Sequence, residues 1–355
     1  METLDLLAVG DISLACATEH VPFKHMGRYL RTGDIVFGNL ECVLCDPGTP
    51  AEKEVTLRAP PARAEYLREA GFNVVSLSNN HILDFGSAGL AQTCSVLRER
   101  GIPFIGAGDK VSAQGYRIIE CRGLKVGFLA YGEADTCHVQ DGVFVNCIHR
   151  CAILDQLRYL KPCCDVLIVS LHWGIEYVRY PSPAQVELAR DLVAEGANLV
   201  LGHHPHVVQG IERVGSSLIA YSLGSFHIKP LRDDGGRQSC MLHARISKRG
   251  VERYRLVPVQ LDDEDLPHLA RGRDRKEAIR IMEEISAPIR ENRITERWWF
   301  EQVAPIYLRG NLGAWVKRVR RYGPRHFVQF MRWLVAGFTV KCYLGLLRRR
   351  VGADE

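Results

Sequence analysis

Short apolar runs that end in a polar cluster recur along this chain, and they constrain its fold more than any other feature. Leu4–Val9 leads into Gly10-Asp11, Asp34–Phe37 into Asn39-Leu40-Glu41, and Val74–Leu77 into Asn79-Asn80-His81. Val166–Leu171 leads into His172-Trp173-Gly174, and Leu199–Leu201 into Gly202-His203-His204-Pro205-His206. Apolar runs of this length, bounded by turn residues, read as strands. Between them, helices are expected over Ala62–Ala70, Gly89–Arg100, Ile153–Leu160 and Pro183–Glu195, the last three with apolar residues at three- and four-residue spacing. Strands alternating with helices imply an α/β sheet, in which the strand ends bring distant side chains into one crevice.

Further strands are expected at Phe104–Ile105, Tyr116–Cys121, Val126–Ala130 and Leu218–Ser222, with a tight turn at Arg122-Gly123. Gln238–Ser247 and Val251–Gln260 read as a hairpin, after which Leu261–Asp265 breaks the pattern. The expected organisation is therefore an α/β domain over residues 1–262 and a helical region rich in arginine and aromatic residues over 263–355. Residues 301–355 hold 11 Lys/Arg against 3 Asp/Glu while the whole chain carries +5, so the body is slightly acidic and the tail strongly basic. A basic tail with interleaved Trp315, Phe327, Phe330, Trp333 and Phe338 fits a membrane surface, through residues 313–350, better than nucleic acid. Trp333–Leu347 is too short and carries Lys341, so it is not expected to span a bilayer, which takes roughly 20 apolar residues. The first strand starts at Leu4, which leaves no room for a secretion signal. The twelve cysteines, Cys42, Cys45 and Cys147 among them, follow no disulfide or zinc-finger spacing and read as free thiols. Together these features predict a cytoplasmic protein, peripheral at the membrane.

The polar clusters supply carboxylates, amides and imidazoles, a donor set suited to borderline divalent cations. Asp11 is a hard ligand at a strand end, or a turn residue. Glu41 stands two residues beyond Asn39, on the same strand face, and a carboxylate can bridge two cations where an amide cannot. Asn80 offers an amide oxygen, His81 a proton for a leaving group, and Asp84 an acceptor that could orient His81. His172 at the end of its strand is either a ligand or a satisfied core residue. Three histidines in four residues, stiffened by Pro205, form the most specific element. Arg58 and Arg179 are candidates for an anionic substrate. No phosphate-binding glycine loop and no GxSxG elbow is present, which removes support for a nucleotide cradle or a serine hydrolase.

In order and spacing these motifs, with Asp34–Glu41, Gly86, Glu176 and Tyr221–Phe226, resemble the CapA-like poly-γ-glutamate capsule synthesis proteins of the calcineurin-like metallophosphoesterase superfamily. The resemblance runs through roughly residues 4–260. It implies a four-layer αββα sandwich with two divalent metal ions (Mn, Fe or Zn) at the sheet ends. By the same resemblance Asp11, Glu41 and His206 would hold one metal, and Glu41, Asn80, His172 and His204 the other. His81 would act as general acid, and His203 would pack or support. Three departures stand out. Ser13 occupies a position where the superfamily has histidine, Glu41 replaces the usual aspartate, and Ser225 replaces asparagine in the closing loop.

The function this implies is a metal-dependent hydrolase of the metallophosphoesterase type in the biosynthesis of capsule, poly-γ-glutamate or another envelope polymer. Its partners would be an anionic polymer or phosphoester substrate and other capsule-synthesis proteins. The alternative is a non-hydrolytic assembly or export factor that uses the metal centre for polymer binding or structure.

Overall fold

Alternate side chains of strand Thr3–Ile12 enter two different cores: Leu4, Leu6 and Ala8 face one, Leu7 and Val9 the other. Strand Val166–His172 divides in the same way, Val166 and Ile168 against Leu167, Val169 and Leu171. The period of two along a strand, with no polar face, places each strand in the interior of a layered structure. The computed structural model describes residues 2–15, 20–109, 115–133, 138–230, 236–322 and 324–351.

Two sheets share the inner core. The first is eight-stranded, with Thr3–Ile12 at its centre, flanked by parallel Ile35–Leu40 and antiparallel Gln238–Ser247. Beyond Ile35–Leu40 lie Val74–Ser76 and Phe104–Ile105. The second, six-stranded sheet centres on Leu199–His203, Val166–His172 and Leu124–Gly132. Phe37 of one sheet and Phe128 of the other stack at 6.1 Å between centroids across the shared core. On the outer face of the first sheet pack helices Ala64–Ala70, through Leu67, and Gly86–Glu99, through Leu90, Cys94 and Leu97. On the outer face of the second pack Arg150–Leu160, through Ile153 and Leu157, and Pro183–Glu195, through Val186, Ala189 and Leu192. The architecture is the four-layer αββα sandwich that the resemblance implies.

Helix Pro183–Glu195 starts where its sequence predicts. Ser182 accepts from the Gln185 N–H, the Gln185 side chain accepts from the Ser182 N–H, and proline fills the first turn. The first sheet continues past residue 262 to the edge strand Pro267–Leu269. Helix Gly272–Arg290 then closes over the strand ends, packing Met282 and Ile285 with Val208 and Cys240. Its Ser286 hydroxyl accepts from the Ile211 N–H at 2.9 Å. Helices Glu296–Tyr322, Pro324–Leu334 and Gly337–Val351 complete a helical C-terminal region. Trp299 joins this region to the body, donating through Nε1 to the Tyr180 carbonyl at 3.0 Å.

Several elements have no counterpart in the sequence expectations. These are the short pair Val43–Leu44 and Arg58–Ala59, the strands Val143–Val145 and Ile211–Val214, and Ser225–His227, which runs parallel to the end of Thr3–Ile12. The expectation of free thiols holds for Cys45, Cys94, Cys240 and Cys342, which are buried. It fails at Cys147, which is disulfide-bonded.

Candidate metal centre

Two glycines set the crevice. A Cβ on Gly10 would lie 1.8 Å from the Gly224 carbonyl oxygen, and one on Gly202 1.8 Å from that of Tyr221. Backbone can approach these strand ends only because they carry no side chain, which is why glycine directly precedes Asp11 and His203. The register places Asp11 beside Asn39 on one side and Ser225 on the other, and His172 beside His203. Carboxylates and imidazoles from both sheets thereby meet at one end of the sandwich.

Asp11 is fully buried. Its Oδ1 accepts from Asn39 Nδ2 at 2.8 Å, and its Oδ2 accepts from the His204 N–H at 3.1 Å. The Nδ1 atoms of His203 and His206 each lie 3.3 Å from one of its oxygens. Burial opposes ionisation of Asp11, but the contacts with His203 and His206 outweigh it and hold the carboxyl well below its usual range. His204 and His206 have φ values of 95° and 57°, a left-handed region that side chains occupy at a cost. The Asp11–His204 bond and a bond from the Tyr177 N–H to the Pro205 carbonyl, 2.7 Å, hold the loop in that shape.

Glu41 is also fully buried, yet neither carboxylate oxygen finds a hydrogen-bond partner among the described residues. Its Oε1 faces three imidazoles: His206 Nε2 at 3.7 Å, His172 Nε2 at 3.9 Å and His81 Nε2 at 4.0 Å. Burial and the nearby Asp11 charge push its carboxyl well above the usual range. Burial drives His172 well below the usual histidine value and keeps it neutral. For His206 burial acts the same way, but the Glu41 and Asp11 carboxylates prevail and push it up to about 10. Metal-free, the pocket thus retains protons where cations would otherwise supply the positive charge.

His172 reaches Asn80 Oδ1 at 2.9 Å through Nε2, and its Nδ1 lies 3.3 Å from Asn39 Nδ2. The rings of His172 and His204 are 4.7 Å apart, those of His204 and His206 5.9 Å. His81 sits at the rim with its Nδ1 2.6 Å from Asp84 Oδ2. Asp84, fully buried, also accepts from the Leu57 N–H at 2.7 Å and from Lys53 Nζ at 2.9 Å. The structure therefore gathers Asp11, Glu41, Asn80, His81, Asp84, His172, His204 and His206 into one constellation. Sequence reasoning missed Lys53 and the supporting contacts of Asn39, since neither carries a spacing signal. Arg58 donates to the Cys45 carbonyl at 2.9 Å and stands over Phe85. Arg179 lines a small cavity with Val208, Gln238, Ser239 and Met282.

Two groups have ligand atoms close enough to hold a cation: Glu41, His204 and His206, and Asp11, Glu41 and His172. Both include Glu41. The division differs from the one the resemblance implies, because Nδ1 of His206 turns to Asp11 and leaves Nε2 facing Glu41. A buried carboxylate with both oxygens bare is costly unless a cation completes it, so the donor set around Glu41 fits divalent metal binding.

The departures have structural consequences. The Ser225 hydroxyl lies 3.3 Å from His206 Nδ1, so it steadies that ring. The Ser13 hydroxyl turns away to the Ala15 N–H at 3.3 Å, and its carbonyl meets Nδ1 of the buried His227 at 2.8 Å. Burial lowers His227 to about 4. Unfolded, the same histidine titrates near its ordinary value, so the unfolded chain binds the extra proton first. Stability tied to His227 is present above about pH 6.5 and is lost as the pH falls toward 4. We expect His227 to cost about 1 kcal/mol at pH 5.5 relative to pH 7.5. Urea unfolding at both pH values should show a smaller difference in His227→Asn, and an unchanged difference would contradict this assignment.

The profile of a family described as "Bacterial capsule synthesis protein PGA_cap" matches residues 5–229. The capsule biosynthesis protein CapA of Bacillus anthracis is 29% identical over 288 residues, 74% of this chain and 68% of that protein. The PGA biosynthesis protein CapA of Bacillus subtilis (strain 168) is 26% identical over 284 residues, 74% of this chain and 73% of that protein. Among solved structures, the 5'-nucleotidase of Candida albicans SC5314 aligns with a TM-score of 0.44 at 9% identity, covering 80% of this chain and 58% of that one.

Proposed function

The chain belongs to the bacterial capsule synthesis protein family, and from that premise we propose that it is a metal-dependent phosphoester hydrolase acting in the synthesis of a capsule or envelope polymer such as poly-γ-glutamate. The observation that carries this reading is Glu41, a buried carboxylate with two bare oxygens shared by two potential ligand groups. Asp11, Glu41, Asn80, His172, His204 and His206 would hold two divalent cations. Such a pair, when bound, activates a water and neutralises charge on a phosphoryl group.

The chain's own side chains do the rest. His81 presents Nε2 toward the centre while Asp84 holds its Nδ1, the arrangement of a general acid aimed at a leaving oxygen. Asp84 fixes the ring and the tautomer, and Lys53 anchors Asp84. Asn39 holds Asp11 and lies against His172, which fixes the spacing of the two sheet ends. Trp173 stacks on Tyr221 and donates to its carbonyl at 3.1 Å, packing the floor behind His172.

Elemental analysis together with manganese-dependent hydrolysis of bis-p-nitrophenyl phosphate, on the wild type and on His204→Ala, tests this reading. Metal uptake and turnover in the wild type, both lost in the variant, are the expected result. No turnover in either protein, with polyglutamate bound all the same, would replace hydrolysis by the assembly or export role.

A further inference from the structure

The C-terminal helices are apolar on two sides, and only one side is covered. In Gly337–Val351 the inner side is Phe338, Cys342 and Gly345, the last so close that a Cβ would lie 2.6 Å from the Phe300 carbonyl oxygen. The outer side carries Val340, Tyr343, Leu344 and Leu347 at helical spacing, all exposed. Pro324–Leu334 repeats the pattern. Trp333 donates to the Tyr307 hydroxyl at 3.0 Å and Phe330 lies against Trp315, while Phe327, Val328 and Met331 face outward. Among the described residues, ten of the fifteen exposed large hydrophobic side chains fall between Leu312 and Leu347. The described residues of the body show no comparable patch.

Charge identifies what covers this surface. Residues 302–353 contain 11 Lys/Arg and no Asp or Glu. Arg309, Arg320, Arg332 and Arg348 are exposed beside the apolar stripes. A soluble polyanion would call for the arginines but not for a row of leucine, valine and phenylalanine. A lipid surface with anionic headgroups calls for both. Among the described residues no single helix is long and apolar enough to cross a membrane; Phe327–Leu334 and Gly337–Arg348 together have the length and composition of a broken span, but they bend from one another by 55°. The bend, together with Arg332 and Arg348 exposed beside the apolar residues, favours a place along the interface over a crossing.

We propose that Pro324–Leu334 and Gly337–Val351 form a membrane foot that inserts its outer apolar face into the headgroup region of an anionic bilayer. The foot is independent of the chemistry proposed for the metal centre. The inner face fastens it to Glu296–Tyr322, and through Trp299 to the Tyr180 loop, so a protein bound this way is held by its rigid C-terminal region.

Co-sedimentation of the full chain with vesicles of phosphatidylcholine, with or without phosphatidylglycerol, tests the proposal. The protein should pellet with the anionic vesicles and be released by salt. Phe327→Ser/Leu344→Ser/Leu347→Ser should lose at least about tenfold in partition, with its circular dichroism unchanged. Arg332→Glu/Arg348→Glu, which keeps the stripe intact, should lose a similar factor on anionic vesicles. Three results would overturn it. They are failure to bind anionic vesicles, binding that soluble polyglutamate abolishes and the triple substitution leaves intact, and a dimer that the triple substitution dissociates without any vesicle binding. The last two would assign the surface to a polyanion or to a second copy of the chain.

Discussion

Glu41→Gln is expected to make the metal-free protein more stable while it removes metal-dependent turnover. The two effects come from one fact: the carboxylate is fully buried and its oxygens have no hydrogen-bond partner among the described residues. Without cations, burial and repulsion by ionised Asp11 oppose ionisation of Glu41, so on folding at neutral pH it must take up a proton that the unfolded chain releases, at a cost in stability. A glutamine of the same shape carries no charge and should gain about 1–3 kcal/mol in a chelator-treated sample. With manganese present the order should reverse. The wild type is stabilised by what it binds, and the variant, lacking the shared ligand, is not. Hydrolysis of bis-p-nitrophenyl phosphate should fall by about 10²–10³-fold, a loss of some 3–4 kcal/mol at the transition state. Thermal unfolding with and without metal checks the stability half without reference to activity. A variant less stable than the wild type in chelator would show that Glu41 is satisfied by the protein itself.

The second large effect is expected at Asp84. This carboxylate accepts from Lys53, from the Leu57 N–H and from His81, all within 2.9 Å, and no solvent reaches it. Alanine would leave Lys53 and His81 without their partner and the Leu57 amide unsatisfied. A loss of about 3 kcal/mol in stability is expected from breaking such a pair. Turnover should fall by about 10²–10⁴-fold as His81 loses its orientation, with the change in kcat and little change in KM. His81→Ala separates the two roles: it should match the loss in turnover while keeping the Lys53 and Leu57 bonds, and so most of the stability. Equal destabilisation by both variants would mean that Asp84 acts on the site only through the fold.

Which parts of this were legible in the sequence follows from what sequence patterns encode. Strand periodicity and the glycine before Asp11 and His203 announce where strands end, whereas the αββα layering is implied by the family resemblance and not by the apolar runs, which give only an α/β sheet. Asp11, Glu41, His172 and the His203–His206 loop all sit at such ends, which is what marks them as candidates in the sequence. Lys53 lies in a polar stretch between two short strands, and nothing in its neighbours says that it will reach Asp84 and the Asn80 carbonyl. Ser225–His227 escaped notice because three residues leave no periodicity, and its parallel pairing with Asp11 depends on the long return of the chain through the second sheet. The grouping of His206 with His204 and Glu41 depends on which ring nitrogen turns to Asp11 and which to Glu41, and no residue spacing reveals that. In the C-terminal region the aromatic and basic composition was plain, but which residues are covered depends on how Gly345 lets its helix approach Phe300.

The most direct test of the metal centre is crystallographic: crystals grown with manganese, with an anomalous difference map recorded at a wavelength where only the metal contributes. The account predicts two peaks, one on each side of the Glu41 carboxylate, within reach of His204 and His206 on one side and of Asp11 and His172 on the other. A single peak that leaves Glu41 untouched, or no peak in the crevice, would contradict it.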